Sequence, residues 1–300
     1  MSLMVLGTVA LDTVKTPCGL RKDMLGGSAT HFAMSASLFT KVNLAAVIGE
    51  DFPAKHLTFL KNKGINLKSL SREKGSTFRW AGEYKQGDLN TACTLNTKLG
   101  VIVNCLPRLD KSQKNIKNVF LGNYDPDIQY CFLKELNHPD FVSLDTMNLW
   151  IHNKIKPLKR LLKKVHLIII NDAEAKDLSG EDNILKAAQR LYSYGPRMVI
   201  IKKGEHGCLF YSKHIFFVLP AYPVEKVIDP TGAGDTFAGG VLGYLVKSPR
   251  INEASLKMAL SYATIISSFN VEGFGLTRTA ILTKQDVGQR MRRFKQFLRF

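Results

Sequence analysis

Short apolar runs alternate with amphipathic stretches along nearly the whole chain, and this rhythm restricts the fold more than any other feature. Strands linked by crossover helices produce this pattern, and such units assemble into a mostly parallel sheet with helices packed on both faces. Buried strands are expected at 4–10, 44–48, 119–122, 141–145, 167–171 and 198–202. Helices are expected between and after them, at 28–39, 53–63, 127–136, 183–194, 234–245 and 253–269. With 300 residues and 45% hydrophobic content the chain can bury a full core. No repeat, low-complexity tract or Pro/Gly-rich linker divides it, so residues 1–300 are read as one domain.

One region breaks the rhythm. Residues 76–96 alternate through Phe78, Trp80, Gly82 and Tyr84, turn at Gly87 and Asp88, and resume, which is the signature of a hairpin. Together with residues 13–24 this hairpin is expected to form a small antiparallel β lid over a cleft, where it would exclude water from a transfer reaction. An ordinary edge hairpin fits the same pattern. The three lid aromatics suit stacking on a sugar or base as well as packing within the hairpin.

Charge and cysteine usage narrow the function class. The net charge of +17 implies anions nearby, or simply a solvated basic surface. Cys18, Cys93, Cys105, Cys131 and Cys208 are odd in number, scattered and without a CxxC pair, as suits a reducing cytoplasm. No zinc-ligand spacing occurs, and the longest apolar runs fall short of a membrane span. Near the end, Val287, Met291, Phe294 and Leu298 recur at helical spacing with Arg290, Arg292, Arg293 and Lys295 between them. That stripe is read as packing on its own domain, and the basic stretch 156–164 likewise, with no nucleic-acid or membrane partner expected.

The run from Asp229 to Phe237, DPTGAGDTF, carries the chemistry. Glycines just ahead of a helix leave backbone N–H groups facing one point, where the helix dipole adds positive character, so an anion is expected there. Asp235, in or beside the first helical turn, can reach a hydroxyl poised to attack a phosphoryl group held by those amides. As a carboxylate at a helix N-terminus it is expected to stay ionised. Asp229 is placed either to bind a cation or to brace the loop. No P-loop exists, since the chain has no Gly-Lys pair, and neither Gly232 nor Gly273 opens a GxGxxG.

DPTGAGDTFAGG from Asp229 resembles the carboxy-terminal signature of the ribokinase-like (PfkB) sugar kinases. Other motifs fall in that family's order: Gly26 and Gly27 before a helix, Asn171 and Glu174 in NDAE, and Lys203, Gly204 and Gly207 in KKGEHG. The resemblance implies a three-layer α/β/α sandwich with a mostly parallel central sheet, an antiparallel lid, and transfer of the ATP γ-phosphate to a hydroxyl of a sugar or sugar-like substrate. A nucleoside acceptor, as in adenosine-type kinases, and a non-catalytic sugar or nucleotide binder are the alternatives.

Carried over residue by residue, it makes Asp235 the base and the Gly232, Ala233 and Gly234 amides the anion hole. It puts the acceptor against Asp12, Gly26, Gly27 and His31. The nucleotide falls to Thr231, Asn171, Glu174, Lys203, Gly204, Gly207 and the segment 263–275. It also implies Mg²⁺ ordered through water by Asn171 and Glu174, a monovalent cation such as K⁺ near Asp229, and pairing of two copies through the lid. Two positions depart from the family pattern: His31 stands where Asn is common, and Glu272 where ribokinases commonly have Thr. His31 therefore reads either as a substrate contact or as a core histidine. The string Asp145 to Trp150, with Gly82 to Tyr84, resembles a branch of the family with no assigned substrate.

Overall fold

The structure is a computed structural model and describes residues 2–103 and 105–299. In chain order its elements are strands β1 (Ser2–Leu6), β2 (Ala10–Thr16) and β3 (Gly19–Gly26), helix α1 (Ser28–Ala36), β4 (Lys41–Gly49), α2 (Ala54–Asn62), β5 (Leu70–Glu73), β6 (Arg79–Lys85) and β7 (Asp88–Lys98). There follow β8 (Asn118–Leu121), α3 (Pro126–Glu135), β9 (Phe141–Leu144), α4 (Asn148–Asn153), α5 (Ile155–Leu162), β10 (Leu167–Asn171), α6 (Asp172–Ser179), α7 (Ile184–Ser193) and β11 (Met198–Lys202). The last are β12 (Cys208–Ser212), β13 (Phe216–Leu219), α8 (Ala233–Lys247), α9 (Glu253–Asn270), α10 (Thr277–Ile281) and α11 (Lys284–Phe297).

The large sheet runs β13-β12-β11-β10-β9-β8-β1-β4-β5, parallel from β11 to β5 and closed by the antiparallel pairs β11–β12 and β12–β13. Alternation along its strands builds the three layers. In β1, Leu3 and Val5 enter the core on one face while Met4 and Leu6 enter the other; in β10, Leu167 and Ile169 part from Ile168 and Ile170 in the same way. The first face is covered by α1, α8 and α9 through Phe32, Val241 and Leu260, the second by α3, α5 and α7 through Phe132, Leu161 and Leu191. Helix α11 packs Val287, Met291 and Phe294 on α9, so the terminal stripe covers its own domain as expected.

The lid is a second, four-stranded sheet, β3-β2-β6-β7. Each hairpin within it is antiparallel, but the two hairpins meet along a parallel pairing of β2 with β6. Strand β1 also stops at Leu6, short of the expected 4–10 run. There is little room beside Gly7, where a Cβ would come 2.7 Å from Ser28 Oγ, and Thr8 N–H donates to that same oxygen at 3.0 Å. The chain leaves the sheet at this point, bringing the start of α1 against the end of β1.

Candidate active site

The loop ahead of α8 is braced from below. Asp229 is fully buried, and its carboxylate accepts N–H bonds from Thr231 at 2.9 Å and Gly275 at 2.8 Å. Gly232, the N-cap of α8, sits in the left-handed region at φ 72°, and its open face is pressed against the His31 ring. Ala233 N–H is not available to a ligand, because it donates to Pro230 C=O at 3.1 Å. That corrects the expected anion hole. Among the described residues the N–H groups of Gly232, Gly234 and Asp235 have no protein acceptor, and these three offer themselves to an anion at the helix start.

A lysine that sequence reading passed over completes this corner. Lys202, the last residue of β11, places its Nζ where a Cβ on Gly234 would be 2.9 Å away, and the same ammonium donates to Asp145 Oδ2 at 2.9 Å. Lys202 lies two residues before Gly204 and five before Gly207, so the K-x-G-x-x-G spacing points to it and not to Lys203. Lys203 contributes instead to the turn, where its N–H meets Gly207 C=O at 2.8 Å. Burial works to strip the proton from Lys202, but Asp145, Glu174 and Asp235 outweigh it and hold its pKa above the ordinary value.

Asp235 is pushed up to about 7, first by burial and then by the Asp145 carboxylate, with Lys202 pulling the other way. It therefore does not stay ionised throughout the neutral range, as its helix position alone suggested. The dipole is outweighed by loss of water and by a like charge. Glu174 is raised to about 7 by burial and Asp145. Three carboxylates thus converge on one ammonium, an arrangement of hard oxygens that fits a magnesium ion keeping most of its waters. Among the described residues no group of three or more His, Cys, Asp or Glu is placed to hold a metal ion directly, so a magnesium ion here would be held through its waters. Asn171 and Glu174 also start a helix. They form the capping box of α6, with Glu174 N–H to Asn171 Oδ1 at 2.8 Å and Asn171 N–H to Glu174 Oε2 at 3.0 Å.

Asp12 of β2 is buried within electrostatic reach of Asp229 and Asp235, and Gly27 N–H donates to its Oδ2 at 3.2 Å. A Cβ on Gly26 would collide with that carboxylate, and Gly27 takes φ 92° with its open face against Thr8 C=O. Burial first, then Asp229 and Asp235, raise Asp12 to about 7 against the Gly27 hydrogen bond. The lid reaches the same place: Tyr84 of β6 is buried, and its hydroxyl accepts a 3.4 Å hydrogen bond from Thr231 Oγ1. Trp80 stays partly exposed, folded over Gly82 with its Nε1–H on Thr94 Oγ1 at 3.2 Å.

His31 is 1% exposed, lies behind Gly232, and its Nδ1 pairs with Asn270 Oδ1 at 3.3 Å, the surroundings of a core histidine. His31 ends the first turn of α1, where Gly232 and Asn270 close over the ring and bury it. Gly207 likewise serves the turn between β11 and β12, where a Cβ would strike the backbone at Leu219 and Pro220. Gly204, at φ 54°, lies under Asn90 of the lid, and Asn90 Nδ2 donates to Glu205, linking lid and turn.

Residues 8–283 match the pfkB family carbohydrate kinases. The chain is 31% identical over 263 residues to the cytidine kinase of Thermococcus kodakarensis, covering 81% of this chain and 88% of that one. The Burkholderia thailandensis nucleoside kinase in complex with inosine superposes with a TM-score of 0.82 at 20% identity, covering 97% and 98% of the two chains. The aminoimidazole riboside kinase of Salmonella enterica, solved with aminoimidazole riboside and an ATP analogue, gives 0.79 at 18% identity, covering 97% and 100%. Among the described residues no helix is long and apolar enough to cross a membrane.

Proposed function

Because the chain belongs to the pfkB family of carbohydrate kinases, we propose that its phosphoryl acceptor is a ribose-bearing molecule, a nucleoside in preference to a free sugar, and that ATP is the donor. The observation that carries this reading is two chemically distinct sets of groups within electrostatic reach of each other. Free N–H groups and Lys202 surround Asp235, and Asp12, which feels the Asp235 charge, stands with Gly26 and Gly27. The preference for a nucleoside is supported by the Thermococcus kodakarensis relative, a cytidine kinase.

On this reading the terminal phosphoryl group lies against the amides of Gly232, Gly234 and Asp235 and beside the Lys202 ammonium. Asp12 accepts hydrogen bonds from acceptor hydroxyls, while Gly26 and Gly27 lack a Cβ because the Asp12 carboxylate and the Thr8 backbone occupy that space and set the carboxylate in place. The attacking hydroxyl donates to Asp235, its oxygen bonds to phosphorus in line, the bond to the β-phosphate oxygen breaks, and the proton passes to Asp235. A base with pKa about 7 is well matched to neutral pH. Tyr84 closes the lid against Thr231 and keeps water from competing as acceptor. Magnesium, held through water by Glu174 and Asp145, would neutralise charge on the phosphate oxygens. The residues fit a monovalent cation less well. Asp229 is engaged by two backbone N–H groups, and Glu272 by Arg290 at 3.0 Å and Arg278 at 3.8 Å.

ADP release measured across ribonucleosides, deoxynucleosides, ribose and fructose tests the proposal. The highest kcat/KM is expected for a ribonucleoside. Turnover of fructose or ribose with none on any nucleoside would refute the acceptor assignment.

A further inference from the structure

Asn270, the last residue of α9, is completely buried beneath the anion loop and bonds to three separate elements. Its Nδ2 donates to Thr231 C=O at 2.9 Å, and its Oδ1 accepts from Thr236 Oγ1 at 3.1 Å and lies 3.3 Å from His31 Nδ1. A carbonyl oxygen can only accept, so the amide nitrogen must face Thr231 and the amide oxygen must face His31 and Thr236. That oxygen has no hydrogen to give. His31 Nδ1 must therefore carry the proton.

Burial disfavours a charged His31 ring, although the Asp229 carboxylate pulls the other way. In the neutral ring Nε2 is then a bare acceptor. This agrees with its surroundings, because Nε2 is buried with no hydrogen-bond partner among the described residues, and an orphaned buried N–H is rare. The ring so oriented lies directly behind Gly232, where a Cβ would collide with it.

We propose that Asn270 is a positioning residue for phosphoryl transfer: it holds the anion loop through Thr231, the first turn of α8 through Thr236, and His31 in the Nδ1–H tautomer that backs Gly232. It touches neither phosphate nor acceptor. Loss of its carboxamide frees Thr231 C=O and lets the ring turn, so the amides of Gly232 and Gly234 lose their common aim. A misplacement of that kind lowers turnover by about 10²-fold. Acceptor KM changes little, since Asp12, Gly26 and Gly27 are untouched. The kinetic part rests on the kinase reading; the tautomer does not.

Imidazole ¹H–¹⁵N correlation spectra of the wild-type protein at neutral pH, assigned by the signal lost in His31→Gln, test the tautomer directly. The expected result is a proton on Nδ1 and a bare Nε2. A ring protonated at Nε2, or at both nitrogens, overturns the proposal and leaves the kinase reading standing. In parallel, Asn270→Ala is expected to lose about 10²-fold in kcat at temperatures well below its melting point. Should that variant not fold, Asn270→Leu, which keeps the side-chain volume, replaces it, with the same loss of kcat expected because the donor to Thr231 and the acceptor for Thr236 are both gone. Wild-type kcat in a folded variant at this position overturns the proposal. Absence of turnover by the wild-type enzyme on every acceptor would instead overturn the kinase reading, while the tautomer still decides this one.

Discussion

Replacing Lys202 with methionine keeps most of the side chain's length and removes its charge. The ammonium sits 2.9 Å from Asp145 with side chains only 15% and 7% exposed, so the variant leaves an uncompensated buried carboxylate. Breaking a buried pair from one side costs about 3–5 kcal/mol of stability. The same ammonium flanks Gly234, and losing one positioned donor to developing phosphoryl charge lowers kcat by about 10²–10³-fold. A third consequence is particular to this site. Lys202 restrains the rise of the Asp235 pKa, and without it Asp145 acts unopposed, so the acidic limb of kcat/KM moves upward from about 7. Thermal unfolding together with pH-dependent initial rates reads all three effects. The Lys202→Met/Asp145→Asn double variant is expected to regain stability over the single variant without regaining turnover. Wild-type kcat in Lys202→Met, with an unmoved acidic limb, would refute the reasoning.

Gly232→Ala meets both a left-handed backbone and the His31 ring, so it is expected to destabilise by more than 1 kcal/mol, above the ~1 kcal/mol typical of a glycine replaced where φ is positive; unfolding in urea reads this, and an unchanged midpoint would contradict it. Asp12 has a folded pKa of about 7, above its ordinary value, so its stabilising contribution is present in acid and lost as pH rises through about 7. The melting-temperature gain of Asp12→Asn over wild type is therefore expected to grow between about pH 5 and about pH 8, and a constant difference would show that Asp12 is not strained by burial. Replacing potassium by sodium or choline at constant ionic strength is expected to leave kcat unchanged, because Asp229 and Glu272 are engaged by the protein. A strict potassium requirement would show that those carboxylates still serve a cation.

The layers were legible because their cause is local. Leu167 to Ile170 form an unbroken apolar run, which is what a strand covered on both faces requires, and β10 occupies the expected place. Strand β13 lies in an apolar run like that of β10, but it is a short edge strand with Phe216 and Val218 exposed, so its apolar sequence does not tell its place in the sheet. Helix α6 escaped notice because Asp172–Ser179 is mostly polar; its signal was the Asn171–Glu174 capping box, a pattern read only as a ligand pair. Pairing direction in the lid is not written in either hairpin, since alternation is the same for parallel and antiparallel neighbours. The placement of Gly232, Gly234 and Asp235 at the start of α8 follows from motif and helix position. The burial of His31, the convergence of Asp145 and Glu174 on Lys202, and the raised Asp235 pKa depend on packing between distant segments, which spacing along the chain does not record.

The proposed function has Asp235 take the acceptor proton while the neighbouring amides hold the phosphoryl group, and one variant pulls these two functions apart. Asp235→Asn removes the base and leaves the N–H groups of Gly232 and Gly234 in place, so single-turnover rates and ATP affinity by calorimetry should separate. A rate loss of about 10²–10⁴-fold or more is expected, with ATP affinity nearly unchanged. Near-normal turnover in this variant would contradict the assignment of Asp235 as the base.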